Sequence, residues 1–501
     1  MARVRYTAGR RTWPQRLLLG FNVVLVLACL GAAFGLTKVR TTLESVPVVD
    51  VGSSLADPVD VETPRNFLII GTDSSSGLDK ADPVNKGRPS GENLADVIMV
   101  LRVDPRDGTA RLLSIPRDSR VTLPDGSTQK INSATMLPNG PKALVQTIKR
   151  NFGIPIDNYV QVDFAAFKRL VEVLGGVPVY FTTPVRDRNT GLLVKEPGCR
   201  QLDPDQALAY ARSRHFEFQV NGKWRTDETG DLGRITRQQD FIKRAMRKAS
   251  DIGVRNPSTA VGVIDAATGA VVLDDTLNVD ALLALLQQFR TFNPDDLQSQ
   301  QIPTESSNRG GVAYQDVLWE QADPVIEPFR GVDPLAGPTP RNVLVDVKGP
   351  AGSLAQLGAT VTDLEKAGFD AEAVPSRSAG GVTTVSYGPR GREAAILLAR
   401  QLQVIPRLVP DPTITGYRVV LNVGRDFGGV RAEPLPADQL PPALRPTTTT
   451  VPPSPPAVAG APASTPPTEA PATSAPAEGA PPDLAPPGVV PTDPVKAAAC
   501  R

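Results

Sequence analysis

From about residue 64 to residue 250, short apolar runs alternate with longer amphipathic ones. NFLIIG (66–71), DVIMVLRV (96–103) and ARLLSI (110–115) have strand length, and the second is apolar on both faces, the pattern of a buried strand. GPKALVQTIKRNFG (140–153) and FAAFKRLVEVLGG (164–176) carry apolar residues at helical spacing and end in glycine, which predicts two glycine-capped helices. VPVYF (177–181) predicts a further strand. Strands mixed with helices of this length predict an α/β layered domain, completed by 259–292 with AVVLDD and the helical NVDALLALLQQF.

A Pro- and Gly-containing stretch at 323–340 separates a second unit. NVLVDVKG (342–349), SLAQLGATVTDLEKAG (353–368), TTVSYG (383–388), REAAILLARQLQ (392–403) and YRVVLNVG (417–424) predict a smaller βαββαβ-like α/β domain over 341–430. Twenty of the chain's 50 prolines fall in 431–501, mixed with Ala, Thr and Ser, so this tail cannot bury a core and is expected to be disordered.

At the other end, residues 17–36 (LLLGFNVVLVLACLGAAFGL) hold no charge and match the span of a transmembrane helix. Arg3, Arg5, Arg10, Arg11 and Arg16 precede it, so the positive-inside rule keeps residues 1–16 in the cytoplasm. A cleaved signal peptide is the rival reading, but the run exceeds a usual h-region and KVRTTLE follows it in place of a small-residue cleavage site. Everything after the 37–63 linker is then expected to lie outside the cell membrane in a single-pass protein.

The charge balance, 54 basic against 53 acidic residues, argues against nucleic acid as a partner. Cys199 and Cys500 are free to form a disulfide outside the membrane, although the sequence does not fix the pairing. The single histidine, His215, leaves a histidine-based triad nothing else to build on, and a solvent-facing or supporting role is expected for it.

The candidate chemistry is instead cationic. YARSRH (210–215) places Arg212 and Arg214 on one face if the segment is extended, and GDLGRITRQQ (230–239) places Arg234 and Gln238 on one helix face. Arginine grips two phosphate or carboxylate oxygens at once, so a phosphorylated ligand is expected. Surface ion pairs with Asp231, Glu217 and Glu228 are the alternative. Upstream, Asp73 ends one strand and Asp96 opens the next, a pair of carboxylates able to hold magnesium, or manganese in its place. SIPRDSRV (114–121) adds Arg117 and Asp118 after a third strand, and Lys130 in QKIN is a further cation.

In order, GTDS, SIPRDSRV, QKINSA, NYVQVDFAAFKRLVEVLGGVPV, LDPDQALAYARSRH and GDLGRITRQQ resemble the successive motifs of the LytR-CpsA-Psr family, with core motifs over 64–250 of a domain spanning 64–330. Residues 341–430 resemble the LytR C-terminal domain. The resemblance implies a three-layer α/β/α sandwich with an apolar cavity for a lipid, and a membrane-anchored enzyme transferring a glycopolymer from a polyprenyl-diphosphate carrier to peptidoglycan through a phosphodiester. It implies that Asp73 and Asp96 hold magnesium. Arg117, Arg212, Arg214, Arg234 and Gln238 would cradle the diphosphate, with Lys130 as the additional cation, while Asp118 and Asp231 orient arginines or assist proton transfer. The family pattern has arginines where this chain has Ser75 and Leu94, which removes two diphosphate-facing cations. A prenyl-diphosphate hydrolase and a non-catalytic lipid-binding wall protein are the alternatives, separated from a transferase by the products formed.

Overall fold

The computed structural model describes residues 47–56, 63–74, 78–79, 82, 84, 94–106, 108–252, 271–277, 292–331, 337–350, 354–376, 381–444 and 499–500. The expected membrane span at 17–36, the helix expected from NVDALLALLQQF, Ser75 and most of the proline-rich tail lie outside these residues. Among the described residues no helix is long and apolar enough to cross a membrane. The chain divides into two compact units at Gly331.

The first unit is mixed α/β. Its principal strands are β1 (Val48–Val49), β2 (Arg65–Thr72), β3 (Ala95–Asp104), β4 (Thr109–Ser114), β7 (Asn158–Val162), β14 (Val271–Asp274) and β15 (Gln298–Gln301). They form one sheet in the order β1-β14-β7-β2-β3-β4-β15; outside it lie the short strands β5 (Arg120–Thr122), β6 (Thr128–Lys130), β8 (Val177–Phe181), β16 (Thr304–Arg309) and β17 (Val312–Val317) and the helix α5 (Trp319–Ile326). β2 is antiparallel to β3 and parallel to β7, so the sheet is mixed.

Both faces of this sheet are apolar, because alternate residues of each strand point opposite ways. On one side Ile98 and Val100 of β3 pack with Leu144, Val145 and Ile148 of α1 (Gly140–Phe152). On the other, Val97, Met99 and Leu101 meet Ile242 and Met246 of α4 (Gly230–Asp251). Between them in sequence, α2 (Phe164–Val173) is capped by Asp163, whose Oδ1 accepts from Ala166 N at 2.7 Å. α3 (Pro204–Arg212) is capped in the same way by Asp203, with Pro204 at its first position.

A smaller sheet, β10-β9-β12-β13, flanks these helices; its strands are β9 (Val185–Asp187), β10 (Leu192–Val194), β12 (Glu217–Val220) and β13 (Lys223–Thr226). Cys199, on β11 (Gly198–Leu202), is disulfide-bonded to Cys500, with their Cα atoms 5.4 Å apart. The pairing that the sequence left open is thereby given, and it ties the far end of the chain to the first unit.

The second unit has a five-stranded sheet, β19-β18-β22-β20-β21. Its elements are β18 (Leu344–Pro350), α6 (Leu354–Lys366), β19 (Asp370–Ser376), β20 (Thr384–Tyr387), α7 (Arg392–Gln401), β21 (Arg407–Pro410) and β22 (Arg418–Asn422). Two strands escaped the hydrophobic pattern, β19 (DAEAVPS) and β21 (RLVP). Both are edge strands in parallel pairing, which supplies backbone partners to residues of modest strand propensity. The expectation of a disordered tail from residue 431 is corrected for its first residues. Arg431 N and Leu435 N donate to the carbonyls of Gln401 and Arg400, at 2.7 and 2.8 Å, and Leu440 is buried. Residues 431–444 therefore belong to the second unit.

Candidate functional site

β2 ends beside the start of β3, and the ladder there is irregular. Gly71 pairs with Val97 and Thr72 with Ala95, which leaves Asp96 as the unpaired residue of a bulge. A bulge of this kind turns a side chain out of the sheet's regular alternation. Glycine is required at 71 because a Cβ there would stand 2.9 Å from Val97 Cβ. Asp73 lies one residue past β2, and its Oδ1 accepts from Leu94 N at 3.2 Å. Leu94 thus contributes a backbone contact where the resemblance implies an arginine.

Arg117 follows β4 through Ile115 and Pro116, and its Nη1 donates to Asp96 Oδ1. Arg234, on the first turns of α4, is 5 % exposed; its Nη2 donates to Asp96 O at 3.1 Å and lies 3.1 Å from Asp231 Oδ1. Arg214 Nε is 2.9 Å from the same Asp231 oxygen. Arg212 is the last residue of α3 and stacks on Phe164, 4.7 Å from the ring centroid.

Electrostatically, the cluster crowds several guanidinium groups together. Burial and the neighbouring guanidinium of Arg117 and, more weakly, of Arg214 hold the Arg234 pKa below the usual arginine value against the pull of Asp231 and Asp96. Burial opposes the charge on Arg117 as well, but Asp96, Asp118 and Asp231 outweigh it and raise its pKa. A buried cation crowded by like charges favours an incoming anion.

The cluster lies at one end of a cavity of about 640 Å³, lined among others by Asp73, Asp96, Arg117, Arg212, Arg214, Arg234 and Gln238. Asp163, Asn189, Thr190 and His215 add polar groups to the lining, and the remaining walls are largely apolar: Val97 and Met99 of β3, Phe164, Phe167, Leu170 and Leu174 around α2, and Phe241, Ile242, Met246 and Ala249 of α4. Arg234 and Ala249 are fifteen residues apart on one helix, so the cavity follows α4 for roughly 22 Å at 1.5 Å per residue. The size and mixed lining suit a small-molecule site with one polar end.

Two expected members stand elsewhere. Lys130, at the end of the strand Thr128–Lys130, places Nζ 2.8 Å from Asp118 Oδ1, and neither residue is among those lining the cavity. Asp118 Oδ2 is 3.8 Å from Arg117 Nε, so Asp118 backs Arg117 from behind. Gln238 lines the cavity, yet its Nε2 donates to Ala211 O at 3.0 Å and braces the end of α3. The expectation of an extended YARSRH segment is corrected. Arg212 closes a helix and Ser213 begins the turn, because Asp203 and Pro204 nucleate α3 through to that point. Of the alternative ion pairs, Asp231 does engage arginines of the cluster, whereas Glu217 pairs with Arg186 on β9.

The turn after α3 rests on buried charges beyond the expected site residues. Asp187 is fully buried, and its Oδ2 accepts from Ser213 Oγ at 2.7 Å, Arg214 N at 3.1 Å and His215 N at 3.0 Å. Burial opposes its charge, but these bonds and those from Asn189 and Thr190 prevail and depress its pKa. Arg237, 1 % exposed, donates to Asp227 Oδ2 and Ser213 O, both at 2.8 Å. Gly233 makes room for that pair, since a Cβ there would come within 2.7 Å of Asp227 Oδ2. The one hint in the sequence is DRNTG at 187–191, a turn signature whose first residue bonds the backbone two and three residues on.

A mixed α/β domain carries an arginine and carboxylate cluster at one sheet end, beside a cavity whose far walls are largely apolar. The chain belongs to the LytR_cpsA_psr family, whose profile matches residues 38–328. It is 31% identical over 257 residues to the probable cell wall biosynthesis protein LcpB of Corynebacterium glutamicum, covering 49% of this chain and 59% of that protein. It is 30% identical over 241 residues to the polyisoprenyl-teichoic acid–peptidoglycan teichoic acid transferase TagU of Halalkalibacterium halodurans, covering 47% of this chain and 68% of the relative. Among solved structures, Bacillus subtilis TagV aligns with a TM-score of 0.43 at 24% identity, over 54% of this chain and 97% of TagV.

Proposed function

We propose that the first unit transfers a glycopolymer from a polyprenyl-diphosphate carrier to peptidoglycan, forming a phosphodiester. The observation that carries this reading is the continuity of the cavity: one space has a cationic end suited to a diphosphate and an apolar length suited to a prenyl chain. The name of the Halalkalibacterium relative points to the same reaction class. An acceptor hydroxyl attacks the sugar-linked phosphorus, the bond to the bridging oxygen breaks, and prenyl phosphate leaves with the electron pair.

Arg117, Arg212, Arg214 and Arg234 neutralise the diphosphate oxygens as charge moves onto the leaving group, in a low-dielectric site where fixed donors act strongly. Asp231 holds Arg214 and Arg234 at one carboxylate, and Asp118 holds Arg117 and Lys130. Asp73 and Asp96 offer two hard carboxylates at one sheet end, the donor set magnesium uses when phosphates complete its shell, so the residues fit the ion. Magnesium bound there would neutralise phosphate charge. A single-pass position with the bulk of the chain outside the membrane belongs to the same proposal. It is supported by the apolar run at 17–36 and by the Cys199–Cys500 disulfide, a bond that persists in oxidising compartments. The 337–444 unit is read as the accompanying LytR C-terminal domain.

The test is product analysis. The full chain, with magnesium, a polyprenyl-diphosphate glycan and peptidoglycan, should release prenyl phosphate and leave glycan bound to the wall through phosphorus. Free phosphorylated glycan accumulating in the presence of acceptor would show a hydrolase instead.

A further inference from the structure

We infer that His215 is a catalytic residue that takes the proton of the acceptor hydroxyl; this rests on the transfer reaction proposed above. The attack cannot finish until that proton has gone somewhere, and the nearby carboxylates have other tasks: Asp73 Oδ1 accepts from Leu94 N, and Asp73 is assigned to magnesium above. Asp96 is bonded by Arg117, and Asp231 is shared by Arg214 and Arg234. Both carboxylates are thus already engaged by guanidinium groups. Asp118 is paired with Lys130 and does not line the cavity.

His215 does line it, beside Arg212 and Arg214, on the turn that Asp187 fixes from below through His215 N. Its ring is also held. Nδ1 lies 2.9 Å from the Asn189 side-chain amide, and Asn189 and its neighbour Thr190, on the turn between β9 and β10, line the same cavity. An asparagine amide presents oxygen or nitrogen from one volume by turning about its last bond. With its oxygen toward a protonated Nδ1, it leaves the Nε2 lone pair for the substrate. The balance is then complete: the acceptor oxygen bonds to phosphorus, its proton moves to Nε2, and prenyl phosphate carries away the electron pair of the broken bond. The charged groups on the surrounding elements are Asp187 and Arg188 from the β9–β10 turn, Arg212 and Arg214 from the end of α3, and Asp231 and Arg234 from α4.

Because His215 is the chain's only histidine, its contribution can be isolated. In the full chain, transfer to acceptor is measured from pH 5 to 8.5 for the parent, H215Q, H215A and D163N, with pyrophosphate affinity and thermal melting as controls. D163N is included because Asp163 also lines the cavity and burial raises its pKa. The inference expects H215Q to lower kcat by roughly 100-fold, the lower end of general-base effects. KM for the lipid donor and pyrophosphate affinity should stay within twofold of the parent. The acidic limb of the parent profile should vanish, and free imidazole should restore part of the H215A rate.

A parent-like rate and profile in H215Q overturns the inference. So does a slowed H215Q that keeps the acidic limb, or an acidic limb that disappears in D163N and survives in H215Q. If the parent itself yields no wall-linked glycan, it is the proposed reaction that fails, and the two failures are told apart by that control.

Discussion

Each of the two units builds a mixed sheet with helices packed on it, and each places an arginine in a largely buried position on or beside that sheet. In the second, Arg418 Nη1 donates to both oxygens of Asp346 on the neighbouring strand, at 3.1 and 3.0 Å, so a carboxylate across the sheet answers its charge. In the first, Arg234 shares Asp231 with Arg214 and has Arg117 close enough to depress its pKa. Similar layers thus serve opposite ends. An ion pair across two strands stabilises a sheet, whereas several arginines crowded around shared carboxylates at a sheet end can meet a ligand. The fold alone would not separate these roles; the local charge balance does.

The comparison is broken most directly at Arg234. Arg234→Ala should lower kcat for glycan transfer by about 10²–10³-fold, the range seen when one preorganised donor to a developing charge is removed. Because the residue is buried among like charges, melting temperature should fall little or rise. A variant that melts early and transfers at the parent rate would make Arg234 a structural arginine like Arg418.

Asp187→Ala attacks the scaffold beneath the cluster. It leaves Ser213 Oγ and several backbone N–H groups around the turn without their acceptor, at a cost of about 3 kcal/mol. Chemical denaturation checks the stability, and donor KM should rise because Arg212 and Arg214 lose their fixed turn. The pH dependence has a definite sign. Asp187 and Asp227 are both depressed in the fold, so the stability they add is present above the ordinary aspartate value of about 3.9 and is lost as pH falls through the folded values. Melting temperature should drop steeply below about pH 4, less so in Asp187→Asn, which lacks that titration.

Much of this was readable from the chain, and what was not has identifiable causes. β2, β3, β4, α1 and α2 follow the hydrophobic period almost residue for residue, because each buries a regular stripe. Asp73, Asp96, Arg117, Arg212, Arg214 and Arg234 were found as strand-end or paired charges, and the structure brings them to one cavity. Lys130 was read as facing the ligand because a lysine after a strand looks the same whether it meets a phosphate or Asp118. Asp187 and Arg237 were missed since burial of a charge depends on partners up to 28 residues away, which no local pattern records. The bulge that frees Asp96 is equally silent, apart from Gly71.

A milder change tests the apolar half of the cavity. Met246→Trp adds bulk on α4 about three turns beyond Arg234, where the wall meets the space assigned to the prenyl chain. KM should rise about tenfold for a long-chain donor and change less than twofold for a donor with a chain of one or two isoprene units. Equal effects on both would mean that the lipid does not run along α4.

The smallest effect is expected in the second unit and carries the comparison's other half. Arg418→Met keeps the length of the side chain and removes its charge, leaving Asp346, 8 % exposed, without its partner. Breaking a partly buried pair from one side destabilises by about 1–3 kcal/mol, so the unfolding of this unit should shift to lower temperature. Transfer by the folded protein should stay within twofold of the parent, since neither residue lies on the cavity of the first unit. A tenfold loss of transfer at temperatures where both units remain folded would show that the second unit takes part in the reaction. The contrast between a cross-strand pair and a crowded cluster would then no longer separate structure from function in this chain.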